Sequence, residues 1–294
     1  MEELHKPVLL SEVLEVLRPK LGESYMDLTA GYAGHASRIL DVTRNYKDSV
    51  LVDRDSFAVE FLHGKYDSEP VKIVNDDFYS AVLQELECGK KFDMILADFG
   101  VSSPQLDMSE RGFSFSKDGP LDMRMDRTQK VSAATVVNGW SERDLAELFV
   151  KYGEEKPGFA KMIAREIVTH RPWSTTKELA EAIKRKSRFS HVHPATRIFQ
   201  AIRIEVNDEL SEIEKTLPLL PKILNPGGRV AIITFHSLED RLVKNYFKEV
   251  SSLGEESPLK IINKSPITAG DMELVINPRA RSAKLRAAER IVLG

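Results

Sequence analysis

The chain contains one cysteine, Cys88, in 294 residues, so an internal disulfide and a multi-cysteine zinc site are both excluded. A reducing compartment is expected, with Cys88 chemically inert. No run of about 18 apolar residues is present, and Glu2 and Glu3 stand where a leader peptide needs a basic start and an apolar core. Neither a membrane span nor a signal peptide is expected, and the cytoplasm is the predicted location. An excess of one charge is lacking too. The 42 basic and 45 acidic residues leave a formal charge of -3 and a pI near 6.2. That balance excludes a protein that coats nucleic acid indiscriminately and confines any RNA contact to local basic patches. Internal repeats and low-complexity tracts are absent. What is there is ample apolar content, 42%, enough for one large core or two ordinary ones.

The apolar residues fall into short runs separated by helical patterns, which predicts an α/β fold. Strands are expected at Tyr25–Leu28, Ser49–Asp53, Val71–Val74, Asp93–Ala97 and Arg229–Thr234. Pro7 to Leu17 carries apolar residues at helical spacing and precedes the first strand. About 130 residues separate the fourth strand from the fifth, far more than a crossover helix needs. Their content is helical: Ser141–Tyr152, Phe159–Thr169, Thr175–Arg185 and a long pattern over Arg197–Leu220. The turn Asn225-Pro226-Gly227-Gly228 follows. The division predicted is a Rossmann-like sheet domain, 1–103 and 204–294, with an inserted helical domain, 104–203. An insertion after the fourth strand is expected to overhang the strands' carboxyl ends and grip a large substrate.

Chemistry is expected at two strand ends. The stretch Tyr25-Met26-Asp27-Leu28-Thr29-Ala30-Gly31-Tyr32-Ala33-Gly34-His35 reads as strand, small-residue turn and helix start, a place where backbone N–H groups approach a ligand closely. Asp53 ends the second strand about 20 residues beyond that turn, where a carboxylate accepts ribose hydroxyls. A nucleoside cofactor follows from the pair. The fourth strand ends in Asp98, the best catalytic candidate, because an oxygen that accepts an amine N–H frees the amine's lone pair for attack on an electrophile. The alternative is that Asp98 only caps the following turn.

Long matching segments run along the chain in one order: His5 to Leu10, Asp27 to His35, Asp98 to Asp107, Arg111 to Phe115, Gly119 to Asp126, Tyr152 to Glu155, His193 to Ile204, Phe235 to Arg241 and Asn277 to Arg286. On these segments the chain resembles, over nearly its whole length, the RsmH (MraW) family of ribosomal RNA cytosine-N4 methyltransferases. The resemblance implies a class I S-adenosylmethionine-dependent methyltransferase that acts on one decoding-centre cytosine of 16S ribosomal RNA, either free or in the small ribosomal subunit or an assembly intermediate. It implies cofactor contacts at Ala33, Gly34, His35, Asp53, Phe78, Asp98 and Gln105. Beside Asp98, His236 and Glu239 complete the expected catalytic set: the segment Phe235–Arg241 follows the fifth strand to the same sheet edge, where these two either line the cytosine pocket or belong to a helix start capped by Ser237. Two positions depart from the family's usual pattern, Ala33 for Gly and Phe99 for Leu. A negative φ at Ala33 keeps its assignment; a positive φ puts it in doubt.

Basic residues are concentrated at Lys184-Arg185-Lys186-Ser187-Arg188, followed by His191 and His193, and in the tail at Arg279, Arg281, Lys284, Arg286 and Arg290. The first group is either a solvated helix end or an RNA phosphate contact. The tail either touches RNA or holds the insertion. His191 and His193 have no cysteine or acid at ligand spacing, so no metal is expected. A nicotinamide dehydrogenase is disfavoured, since its turn needs G-x-G-x-x-G. A non-catalytic RNA-binding or ribosome assembly factor is the competing reading from another class.

Overall fold

The computed structural model describes residues 7–187 and 193–291. The chain divides into two compact units, one formed by the residues up to Gly100 together with those from Leu210 onward, the other by Val101–Glu209.

The first unit is built on a seven-stranded sheet. Its strands are β1 (Tyr25–Asp27), β2 (Val50–Asp53), β3 (Lys72–Asn75), β4 (Phe92–Asp98), β5 (Leu224–Thr234), β6 (Leu259–Ile261) and β7 (Lys284–Arg290), in the spatial order β3-β2-β1-β4-β5-β7-β6. β1 to β5 are parallel, and β7 runs antiparallel to both β5 and β6. Alternate residues face opposite sides of a strand, and the apolar runs divide accordingly. Leu51, Met94, Leu96, Ala231 and Ile233 enter one core; Val50, Val52, Ile95, Ala97, Val230 and Ile232 enter the other. Both faces are covered, as parallel sheets require. α1 (Leu10–Leu17), α2 (Gly34–Thr43) and α3 (Ser56–Lys65) contribute to the first core. α4 (Phe78–Glu87) packs into the second.

The second unit holds α5 (Ser103–Asp107), α6 (Ala133–Gly139), α7 (Glu142–Lys151), α8 (Pro157–Thr169), α9 (Thr176–Lys186) and α10 (Ala195–Asn207). Its helices start at side-chain caps where the sequence offers them: Ser141 receives the Asp144 N–H and Thr175 that of Glu178. Their buried residues recur at helical spacing, for instance Ala160, Ile163, Ala164 and Ile167. The expected single helix over Arg197–Leu220 is broken. Asp208 sits in the left-handed region at φ 50°, α10 ends there, and α11 (Glu209–Thr216) begins anew. Asn207 explains the break, since its amide donates to the Met123 carbonyl and its carbonyl accepts the Met125 N–H, both at 2.8 Å.

After α12 (Leu220–Ile223), the expected turn at Asn225–Gly228 lies inside β5, as an irregularity between the Phe92–Leu224 and Met94–Arg229 pairs. α13 (Ser237–Ser251) and α14 (Asp271–Ile276) follow. The basic tail is largely a strand: β7 pairs along β5, and Asp240 of α13 holds Arg286 at 2.7 Å and Lys284 at 3.0 Å. Those two bases are therefore committed to the sheet unit.

Two matching segments meet inside the second unit by backbone contact. A Cβ on Gly119 would lie 1.8 Å from the Ser109 carbonyl oxygen, and one on Gly112, at φ +70°, 2.1 Å from that of Pro120. Neither neighbour is a side chain that can swing away. Gly119→Ala is expected to destabilise the protein by about 3 kcal/mol, at the upper end for overpacking. Urea unfolding checks it, and a loss below about 1 kcal/mol would show that the backbone relaxes freely.

Candidate functional site at the strand ends

β2, β1 and β4 are neighbours and parallel, so their carboxyl ends open on one edge of the sheet, and each ends in an aspartate: Asp53, Asp27 and Asp98. Sequential connections run outward from β1 to β3 on one side and from β4 to β5 on the other. The reversal between β1 and β4 is the position where open α/β sheets bind ligands.

Backbone and hydroxyl donors hold these acids. Asp27 is 1% exposed; its carboxylate accepts the Tyr25 hydroxyl at 2.6 Å and the Thr29 N–H at 3.1 Å. Asp53 accepts the Gly31 N–H on one oxygen and the Asp55 N–H on the other, both at 2.8 Å. The glycine turn is thus stitched to the end of β2. Asp98 differs. Its own N–H donates to the Thr29 hydroxyl at 2.7 Å, and its Oδ2 lies 3.7 Å from Nδ1 of His35. Its Oδ1 is buried and has no hydrogen-bond partner among the described residues. No backbone N–H donates to Asp98 among the described residues, whereas a turn cap would accept one. The other nitrogen of His35, Nε2, is 2.9 Å from the Val8 carbonyl, an acceptor only, which fixes Nε2 as the donor.

Burial dominates the acidities. It raises Asp53 to about 6 against the pull of two N–H bonds, and Asp27 to about 7 against its bonds from Tyr25 and Thr29. Asp98 is pushed well above the carboxylate range by burial and then by the charges of Asp27 and Glu239. Burial, then Asp27, likewise raises the Tyr25 hydroxyl. Three carboxyls with raised values at one sheet edge mark it as a candidate binding or catalytic site.

The remaining expected residues occupy definite places. Ala33 has φ +61°, the conformation that puts its cofactor contact in doubt. Its N–H donates to the Ala30 carbonyl at 2.8 Å, and its carbonyl accepts the Ser37 N–H at 3.0 Å. Both backbone groups are used within the turn, so Ala33 shapes the turn at a conformational cost of roughly 1–2 kcal/mol. Gly34 opens α2 and is packed so that a Cβ would meet Pro7 at 3.1 Å. Phe78 opens α4, and its ring centroid is 5.4 Å from that of Phe99, so the unusual Phe99 supplies an aromatic partner. Gln105 completes a capping box with Ser102 in the second unit.

His236 and Glu239 are likewise a capping box. Glu239 takes the Phe235 and His236 N–H groups at 2.7 and 3.2 Å, and His236, not Ser237, is the cap of α13. Of the basic group, Lys186 pairs with Glu166 at 2.9 Å; His193 stacks on Phe115 and accepts the Ala195 N–H. Arg188 and His191 lie outside the described residues. Tyr25, Asp27 and Thr29 had no assigned role; the available signal was an acid ending an apolar run with a hydroxyl residue two positions on.

The raised Asp27 couples folding to pH. A carboxyl with a higher value in the folded than in the unfolded state binds its proton more tightly when folded. Its contribution is complete below about 3.9 and is lost as pH rises through about 7. Asp27→Asn is therefore expected to raise the melting temperature at pH 8 and to flatten its decline between pH 5 and 8. Scanning calorimetry showing an unchanged slope would contradict the assignment.

The sequence comparisons agree with this arrangement. A family model described as the MraW methylase family matches residues 2–291. The chain is similar to proteins named ribosomal RNA small subunit methyltransferase H. That of Nostoc sp. is 47% identical over 292 residues, covering 97% of this chain and 92% of the relative. For Synechocystis sp. the figures are 45% over 299 residues, 98% and 93%; for Trichodesmium erythraeum, 46% over 296, 98% and 99%. With the doubly wound sheet and acids at its switch point, these matches make the chain a member of the MraW methylase family, methyltransferases whose methyl donor is S-adenosylmethionine.

Proposed function

We propose that this protein methylates the exocyclic N4 amine of a decoding-centre cytosine in 16S ribosomal RNA. Methylation of small-subunit ribosomal RNA is the activity carried by the relatives' shared name. The observation that carries the finer reading is Asp98 Oδ1, a buried acceptor without a donor among the described residues. A cytosine amine is a poor nucleophile because its lone pair is delocalised into the ring. An oxygen that accepts its N–H bond localises the pair on nitrogen and stabilises the positive charge that develops there.

Bound S-adenosylmethionine supplies an electrophilic sulfonium methyl and a net positive charge. The residues at the strand ends fit such a group. Asp27, Asp53 and Asp98 have no Lys or Arg ion pair among the described residues, and a cationic ligand restores their ionised forms. Asp53 retains lone pairs for ribose hydroxyls beyond the two it uses for N–H groups. Asp98, once ionised, holds the amine's N–H and takes the proton released as nitrogen gains the methyl group. Phe78 and Phe99 offer an aromatic wall to the adenine. The helical unit, residues 101–209, is the part that grips RNA.

Asp53→Ala is expected to weaken S-adenosylmethionine binding by about 1.5–3 kcal/mol, the worth of charge-assisted hydrogen bonds. Unchanged affinity in calorimetry would remove Asp53 from the site. For Asp98→Asn, turnover is expected to fall on the order of 10² to 10³-fold at saturating cofactor, with a smaller change in KM for RNA. Cofactor affinity is measured on the same variant, so that a binding defect is not read as a chemical one. Near-normal kcat would exclude Asp98 from the chemistry.

A further inference from the structure

We infer that Thr29 is a positioning residue that sets Asp98 for the reaction by carrying the β1–β4 ladder one rung beyond the end of β1. The inference rests on the role of Asp98 proposed above. The backbone ladder between these strands closes with the Leu28 N–H donating to the Leu96 carbonyl at 2.9 Å. The next N–H on β4 that faces β1 is that of Asp98, whose partner in a regular parallel ladder is the Leu28 carbonyl, and that bond is not made among the described residues. The Thr29 hydroxyl takes that place at 2.7 Å. A side-chain hydroxyl thus substitutes for a backbone carbonyl as the acceptor of that rung.

The same threonine is fixed from its other side. Its N–H donates to Asp27 at 3.1 Å, and Asp27 is held in turn by the fully buried Tyr25 hydroxyl at 2.6 Å. Tyr25, Asp27, Thr29 and Asp98 therefore form one chain of hydrogen bonds that runs from the core of the sheet to the acceptor at its edge. Among the described residues, the Asp98 side chain has the 3.7 Å approach of His35, and its Oδ1 has no hydrogen-bond partner. Its orientation consequently depends on the backbone rung that Thr29 supplies. Deleting the hydroxyl frees a partly buried N–H, which can recover a partner only by rotating the peptide that carries Asp98. A displacement of that kind lowers kcat more than it weakens cofactor binding.

Thr29→Val, which preserves shape and removes the acceptor, tests this together with Thr29→Ser and the double variant with Asp98→Asn. Single-turnover methylation of 30S-subunit RNA is measured per cofactor-binding site, so that unfolded protein is not counted. The expected result is a fall of at least tenfold in the rate for Thr29→Val, a change in S-adenosylmethionine affinity of less than threefold, and recovery to within threefold of wild type for Thr29→Ser. In the Asp98→Asn background, Thr29→Val is expected to cost less than twofold, because the group it positions is already lost. An unchanged rate for Thr29→Val, or an equal cost in both backgrounds, would overturn the inference. If Asp98→Asn alone is fully active, it is the role of Asp98 that fails instead.

Discussion

Three carboxylates at adjacent strand ends, Asp27 buried and Asp53 and Asp98 partly so, which form no salt bridge to lysine or arginine among the described residues, are the constraint around which the sheet unit is arranged. Removing an ionised carboxylate from water is expensive unless hydrogen bonds or an opposite charge replace the lost hydration. At Asp27 and Asp53, the replacement is four donors: the Tyr25 hydroxyl and the N–H groups of Thr29, Gly31 and Asp55. At Asp98 it is incomplete, and one oxygen is left bare. Under the proposed function the edge receives a cation and a hydrogen-bond donor, the two features that a sulfonium methyl donor and an amine nucleophile bring.

The glycine turn gains a second meaning from this. Gly31 gives its N–H to Asp53, and Ala33 closes the turn on Ala30 and Ser37. Both positions define where α2 begins, and thereby where the unpaired N–H groups of its first turn point. The left-handed Ala33 shows that this geometry is held against a local cost, as strained positions near functional sites commonly are.

The core pattern was plain in the sequence. Short apolar runs identify the five parallel strands, and Asp53 and Asp98 stand at the ends of two of them. β6 and β7 were hidden because β7 carries Lys284, Arg286 and Arg290, which read as a solvated basic tail. Asp240, distant in sequence, neutralises the first two. The break at Asp208 escaped periodicity for a similar reason, since its cause, Asn207 binding Met123 and Met125, lies across 80-odd residues of chain. Thr29 was invisible because its function depends on where the β1–β4 ladder runs out, a matter of register between strands far apart in sequence. His236 and Glu239 stand at the end of β5 as the order of elements implied, yet their visible bonds are those of a helix cap, which sequence spacing alone does not separate from a substrate contact.

Identification of the methylated atom tests the central claim most directly. Small-subunit ribosomal RNA from cells with and without the protein is digested to nucleosides and to mapped fragments and examined by mass spectrometry. An amine acceptor at Asp98 predicts that N4-methylation of one decoding-centre cytosine is lost with the protein and restored by adding it back. Loss of a methyl group from a ring carbon or a ribose oxygen, with cytosine N4 unchanged, would contradict it.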